Sequence, residues 1–177
     1  MTTLIVVIAL VVVTGVYISW RAGRLDRLHI RLETAHAALD AALLRRAAVC
    51  LEFAGSRILD PATSLVLAAA AHEARTAGPD EREHAESDLS KTLRAVVDQE
   101  RFREKLAEHP AGAELLTELD TAVAMTVYSR RFYNNAVAVT RTAQRRWLAR
   151  TLRLAGHTGY PSFFEIDDAP PDSLSVE

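Results

Sequence analysis

Two Glu-x-x-His pairs are the residues of this 177-residue chain whose types and spacing could do chemistry: Glu33 with His36 in "ETAH", and Glu81 with His84 in "EREH". On a helix, positions i and i+3 share a face, and di-metal carboxylate centres in four-helix bundles use two such pairs plus single glutamates from two further helices. Glu73 and Glu118 could complete that set, which would make the chain a di-metal carboxylate-bundle enzyme. Three facts oppose it. Thirteen glutamates and six histidines make chance pairs ordinary. Glu81 also falls in a first helical turn, where acids suit the helix dipole, and His36 flanks an apolar seam instead of facing inward. "HEART", 72–76, starts like a zinc-protease helix, but Thr76 stands where the second histidine must be. There is no glycine-rich phosphate loop, no Gly-x-Ser-x-Gly elbow and no Cys-x-x-Cys. No catalytic residue, metal ligand or cofactor is assigned, and the chain reads as a non-enzyme.

A second group of side chains is polar without being catalytic. "SRRFYNNAVAVTR", 129–141, puts two asparagines, a tyrosine and three arginines inside a long helical pattern. Asparagine is a poor helix former because its amide competes for the backbone, so its presence there calls for a use. Stepping from Val123 by 4, 3, 3 and 4 lands on Val127, Arg130, Tyr133 and Val137, so Arg130 and Tyr133 share the apolar stripe with Asn134 beside them. The spacing predicts a buried polar knot: Arg130 paired with a carboxylate on a neighbouring helix, Asn134 hydrogen bonded, Tyr133 packing its ring. Arg131 and Asn135 should be exposed. Arg141, Arg145, Arg146, Arg150 and Arg153 then form a basic cluster that could contact anionic lipid or a partner. With only Trp147 among them and a net charge of −2, nucleic acid is not expected.

The elements that must position these groups are helices. Few glycines and prolines, an Ala/Leu/Arg/Glu-rich alphabet and 6% aromatics point to an all-α protein. Leu25, Leu28, Leu32, Ala35, Leu39 and Ala42 step by 3 and 4 in a coiled-coil-like seam that needs a partner, within the chain or on a second copy. "ILDPATS" ends that rod, with Asp60 as N-cap and Pro61 at the first position of a second helix reaching about Thr76. "TAGPDE" breaks the chain again with Asp80 as a cap. A third helix runs to about Glu108, and a fourth from Ala113 to about Leu154. Cys50 lies in an apolar run and reads as a small buried hydrophobe.

The first residues predict a membrane span. Leu4 to Trp20 carries no charge, and seventeen helical residues rise about 26 Å against a hydrocarbon core of about 30 Å. "MTT" lacks the basic start of a cleaved leader, so an uncleaved signal anchor is expected. Arg21, Arg24, Arg27 and Arg31 follow the span, which places the N-terminus outside and the rest in the cytoplasm of a single-pass cell-membrane protein. The expected organisation is 1–3 outside, 4–20 in the bilayer, 21–155 a cytoplasmic helical bundle, and 156–177 an acidic tail, disordered beyond about Asp168.

"LLRRA" at 43–47, Ala74-Arg75 in "HEART", "SRRFYNNAV" at 129–137 and "FFE" at 163–165 together resemble the LemA family of bacterial membrane proteins. Arg45 and Arg46 match that family's paired arginines; Arg130, Tyr133, Asn134 and Val137 match its most distinctive stretch. Leu51-Glu52 and Arg146-Trp147 depart from its pattern, which marks a divergent member. The resemblance implies an antiparallel bundle of about four long helices behind one N-terminal transmembrane helix, with no established enzymatic activity. The function expected is a membrane-anchored scaffold or adaptor, with the bilayer and an unidentified protein as partners; a lipid-organising role is the alternative.

Overall fold

The computed structural model describes residues 1–99, 102–151 and 161–171, with the side chains of 18–26 and 146–151 outside that description. The described residues are all-α. Five helices follow in order: α1 (Thr2–Gly55), α2 (Pro61–Thr76), α3 (Arg82–Val97), α4 (Phe102–Glu108) and α5 (Gly112–Thr151). The uninterrupted rod expected from Gly23 being the lone breaker is present as α1. At 1.5 Å per residue it is about 80 Å long, and α5 about 60 Å.

Local signals account for most boundaries. α1 stops where Ser56 donates its hydroxyl to the Phe53 carbonyl and Arg57 takes a left-handed φ of 65°. Asp60 caps α2 as expected, accepting from the Thr63 N–H at 3.1 Å and from the Thr63 hydroxyl at 2.6 Å. Asp80 does not cap the next helix. Glu81 holds that position without a side-chain hydrogen bond. The expected third helix is two pieces: α3 ends at Val97, and α4 turns back so that Phe102 stacks on Phe53 at 5.5 Å between ring centroids. Burying that ring outweighs helix continuity there.

The bundle runs up and down. Arg31 lies over the Phe132 ring and Arg45 pairs with Glu118, so α1 and α5 are antiparallel. Asp40 pairs with Arg82 and Arg46 with Glu86, so α1 and α3 are parallel, with α2 returning between them. One core joins α1, α2, α3, α4 and α5 around Cys50, Phe53, Leu67, Leu89, Leu93 and Leu119. A second joins Ala35, Leu39 and Leu43 of α1 to Tyr133, Ala136 and Val137 of α5, with Ile166 from the C-terminal segment. The seam of α1 therefore finds its partner inside the chain. Leu28 and Leu32 are half-buried and Ala35, Leu39 and Ala42 buried, while the side chain of Leu25 is outside the described set.

The membrane span is the main correction. Among the described residues no helix is long and apolar enough to cross a membrane, which overturns the expected single-pass, N-terminus-outside localisation. The first turns of α1 hold the apolar run that begins at Leu4. Its large aliphatic residues from Leu4 to Val16 are all at least 54% exposed.

Candidate functional site

The sequence Arg130-x-x-Tyr133-Asn134-x-x-Val137-x-x-x-Arg141 advances by 3, 1, 3 and 4, which keeps these five side chains on one face of α5. On α3, Glu83, Ser87 and Arg94 step by 4 and 7 and also share a face. Both faces converge on residues 161–171, which lie across them as a non-helical strap. Pro161 sits beside Arg141 and Asp168 beside Arg130. Seven residue steps of strap thus cover what α5 spans in eleven, about 16 Å, so the strap is drawn out and antiparallel to α5.

Most of its grip is on the strap's backbone. The Arg141 Nε donates to the Pro161 carbonyl at 2.6 Å, and the Tyr133 hydroxyl to the Ser162 carbonyl at 3.0 Å. Asn134 reads Phe164 twice: its Nδ2 donates to the carbonyl at 3.1 Å, and its Oδ1 accepts from the N–H at 2.9 Å. From α3, Glu83 accepts from the Glu165 N–H at 3.0 Å and the Ser87 hydroxyl from the Asp167 N–H at 3.1 Å. Such side-chain amides and hydroxyls replace the ladder a neighbouring strand would supply.

Side chains anchor the acidic end. Arg130 forks onto Asp168 through Nε at 2.6 Å and Nη2 at 2.9 Å. Arg94 does the same to Asp167 and also donates to the Ala169 carbonyl at 2.8 Å. Forked guanidinium-carboxylate pairs fix geometry as well as charge. Ile166 is buried between them, and the Arg141 guanidinium lies 4.5 Å from the Phe163 ring centroid. Hydrogen bonding from Arg94 holds the Asp167 carboxyl below the usual carboxylate range, against a smaller opposing effect of burial. Burial raises the Tyr133 phenol, with Arg141 acting the other way, so it stays a donor well into alkaline solution.

A cleft of about 350 Å³ opens beside the aromatic end of the strap, between His36, Leu39 and Asp40 of α1, Arg82 and Glu83 of α3, Tyr133, and Phe163 and Phe164. The His36 ring meets Tyr133 edge to face at 5.6 Å.

Arg130, Tyr133, Asn134 and Val137 are thus brought together as the spacing predicts, with Val137 fully buried and Arg131 and Asn135 exposed. Arg130 takes its carboxylate from Asp168 of the strap, not from the neighbouring helix expected. Of the tail expected to be loose beyond about Asp168, residues 169–171 continue the strap, with Pro171 buried, and 172–177 lie outside the described residues. Of the basic cluster, Arg141 is committed to the strap and Arg145 is exposed; the side chains of Arg146 and Arg150, and all of Arg153, lie outside the described residues. The Glu-x-x-His pairs are not gathered. Glu33, His36, Glu81 and His84 are exposed, and among the described residues no group of three or more His, Cys, Asp or Glu could hold a metal.

The paired arginines each stitch α1 to a different helix. Arg45 bonds Glu118 of α5, while Arg46, 2% exposed, bonds Glu86 at 2.7 Å and the Ser90 hydroxyl at 2.9 Å. Cys50 lies in the same interior, and burial pushes its thiol up to about 12, with Arg46 opposing in part. A thiol held protonated there is inert.

The fold and the site together define an all-α bundle with a cradle for a drawn-out acidic-aromatic segment. Compared with family models, curated proteins and solved structures, the chain gives no match.

Proposed function

We propose that the chain is a non-catalytic helical adaptor, LemA-like in its bundle and its Arg-x-x-Tyr-Asn stretch, whose recognition element is the cradle on α3 and α5. One observation carries the reading: side chains of two helices bind the backbone of a drawn-out segment of the chain's own C-terminal region and fork onto two successive aspartates in it. That arrangement is how a groove recognises a peptide, with main-chain bonds giving affinity and a few side chains specificity. Each bond is worth about 0.5–1.5 kcal/mol net, so the segment docks reversibly and a partner carrying a similar aromatic-acidic sequence can replace it.

A labelled peptide of residues 161–171 tests this, titrated against the full chain and against the Asp167→Ala/Asp168→Ala variant, whose own strap is weakened. The variant should bind saturably and at least tenfold more tightly than the unaltered chain, because a tethered segment competes at an effective concentration of order millimolar. A folded variant that binds the peptide no better than a scrambled one removes the reading.

A further inference from the structure

Among the described residues, the strap touches the bundle at positions distant in sequence. The shortest separation among the described residues is the 20 residues between Arg141 and Pro161; Asn134 and Phe164 are 30 apart, and Arg94 and Asp167 are 73 apart. No strap contact with α3 or α5 therefore depends on which copy of the chain supplies the strap. Pro161 lies beside Arg141, ten residues back from the end of α5 at Thr151, about 15 Å along the axis. Nine residues join Thr151 to Pro161, and a chain of that length reaches up to about 30 Å. That is long enough to fold back on its own α5 or to cross to an adjacent molecule. Charge complementarity selects the occupant: three guanidiniums, of Arg94, Arg130 and Arg141, face a segment carrying Phe163, Asp167 and Asp168, and this chain itself carries that segment. The aromatic half borders an open cleft, and Phe163 remains 36% exposed.

We propose that a second copy of this chain supplies residues 161–168 to the cradle, so that two copies exchange straps and each completes the other's site. This rests on the cradle being a peptide-binding groove. Exchange of an identical element is a low-cost route to dimers, since every contact made in one copy is remade in the other.

Charge reversal in the full chain tests it. Arg130→Asp opposes Asp168 with a like charge, and Asp168→Arg does the same to Arg130, so each variant alone is repelled by its own strap and by that of an identical copy. In the mixed dimer both cradles meet a strap of opposite charge. Native mass spectrometry and light scattering on an equimolar mixture should show heterodimer at least tenfold above the homodimer of either variant, and the R130D/D168R chain should dimerise like the unaltered one. The proposal is overturned if the mixture gives no heterodimer while circular dichroism shows both variants helical and R130D/D168R recovers strap-amide protection, because the strap then acts only within its own chain. Peptide binding separates the two readings. A peptide bound without heterodimer removes the exchange and leaves the groove, whereas heterodimer without binding of free peptide keeps the exchange and removes recognition of outside partners.

Discussion

Asn134 spends both ends of one amide on one residue, donating to the Phe164 carbonyl and accepting from its N–H. An aspartate is the same shape but has no donor, and would set a carboxylate oxygen against that carbonyl. Asn134→Asp should therefore cost the docked strap about 1–3 kcal/mol, read as at least fivefold faster hydrogen exchange at Phe164 and Asp167 with α1 and α5 unaffected; unchanged exchange would show that the amide pair contributes nothing. Proton binding acts on the same contacts. Because Arg94 depresses the docked Asp167 below the value of about 3.9 for a free aspartate, its contribution is complete above that pH and is lost as pH falls through the lower docked value. Tyr133, raised by burial, contributes fully below the free phenol value of about 10 and loses its contribution above it. Strap protection should hold from about pH 5 to 9 and fall on acidification below about pH 4 before helicity does. Loss of far-UV signal and strap protection at the same pH would show that the two are one unit. The inward set of Arg130, Tyr133 and Val137 was legible because helical periodicity is a local signal. The partner of Arg130 was not, since a drawn-out segment 38 residues away has no period to read. The cue lay in two aspartates preceded by two aromatics just after a helix rich in arginine.

At the scale of elements, the Arg46–Glu86 pair holds α1 to α3 with both side chains almost wholly out of solvent. Removing one member strands the other charge. Glu86→Ala should lower unfolding free energy by about 3–5 kcal/mol in denaturant titration, whereas Arg46→Met combined with Glu86→Leu should come within about 1 kcal/mol of the unaltered chain. If the single change proves as mild as the double, Arg46 reaches water in the native state. Gly112 marks a different constraint. A Cβ there would lie 1.9 Å from the Leu106 carbonyl oxygen, backbone against backbone where α4 meets α5. Gly112→Ala should cost about 1–3 kcal/mol despite alanine's better helix propensity, and a melting temperature unchanged or raised would show that the turn relaxes freely. Sequence signals placed the Asp60 cap and the α2 limits because both are written within four residues. The break between α3 and α4 has no local sequence signal, because the burial of Phe102 against Phe53 decides it, and that contact joins residues 49 positions apart.

Across the whole molecule, support is uneven along a single helix. From Ala35 to Phe53, α1 is packed on α2, α3 and α5, whereas its aliphatic side chains from Leu4 to Val16 are exposed. Isolated helix of that length is marginal in water. Amides of 4–16 should exchange at least a hundredfold faster than those of 39–50, although the hydrogen-bond pattern is the same; equal protection would mean that the monomer is not the species in solution. Composition and periodicity disclosed the all-α class. The apolar start was readable as composition but misled as to a bilayer span, since among the described residues no helix is long and apolar enough to cross a membrane.

The strap bonds α3 through Glu83, Ser87 and Arg94 and α5 through Arg130, Tyr133, Asn134 and Arg141. It is laced between these two helices. Whatever unseats it removes the lacing from one side of the α2–α3 hairpin while the buried Arg46–Glu86 pair keeps the hairpin hinged on α1. Residues 161–171 thus act as a latch, held along α3 from Glu83 near its start to Arg94 near its end.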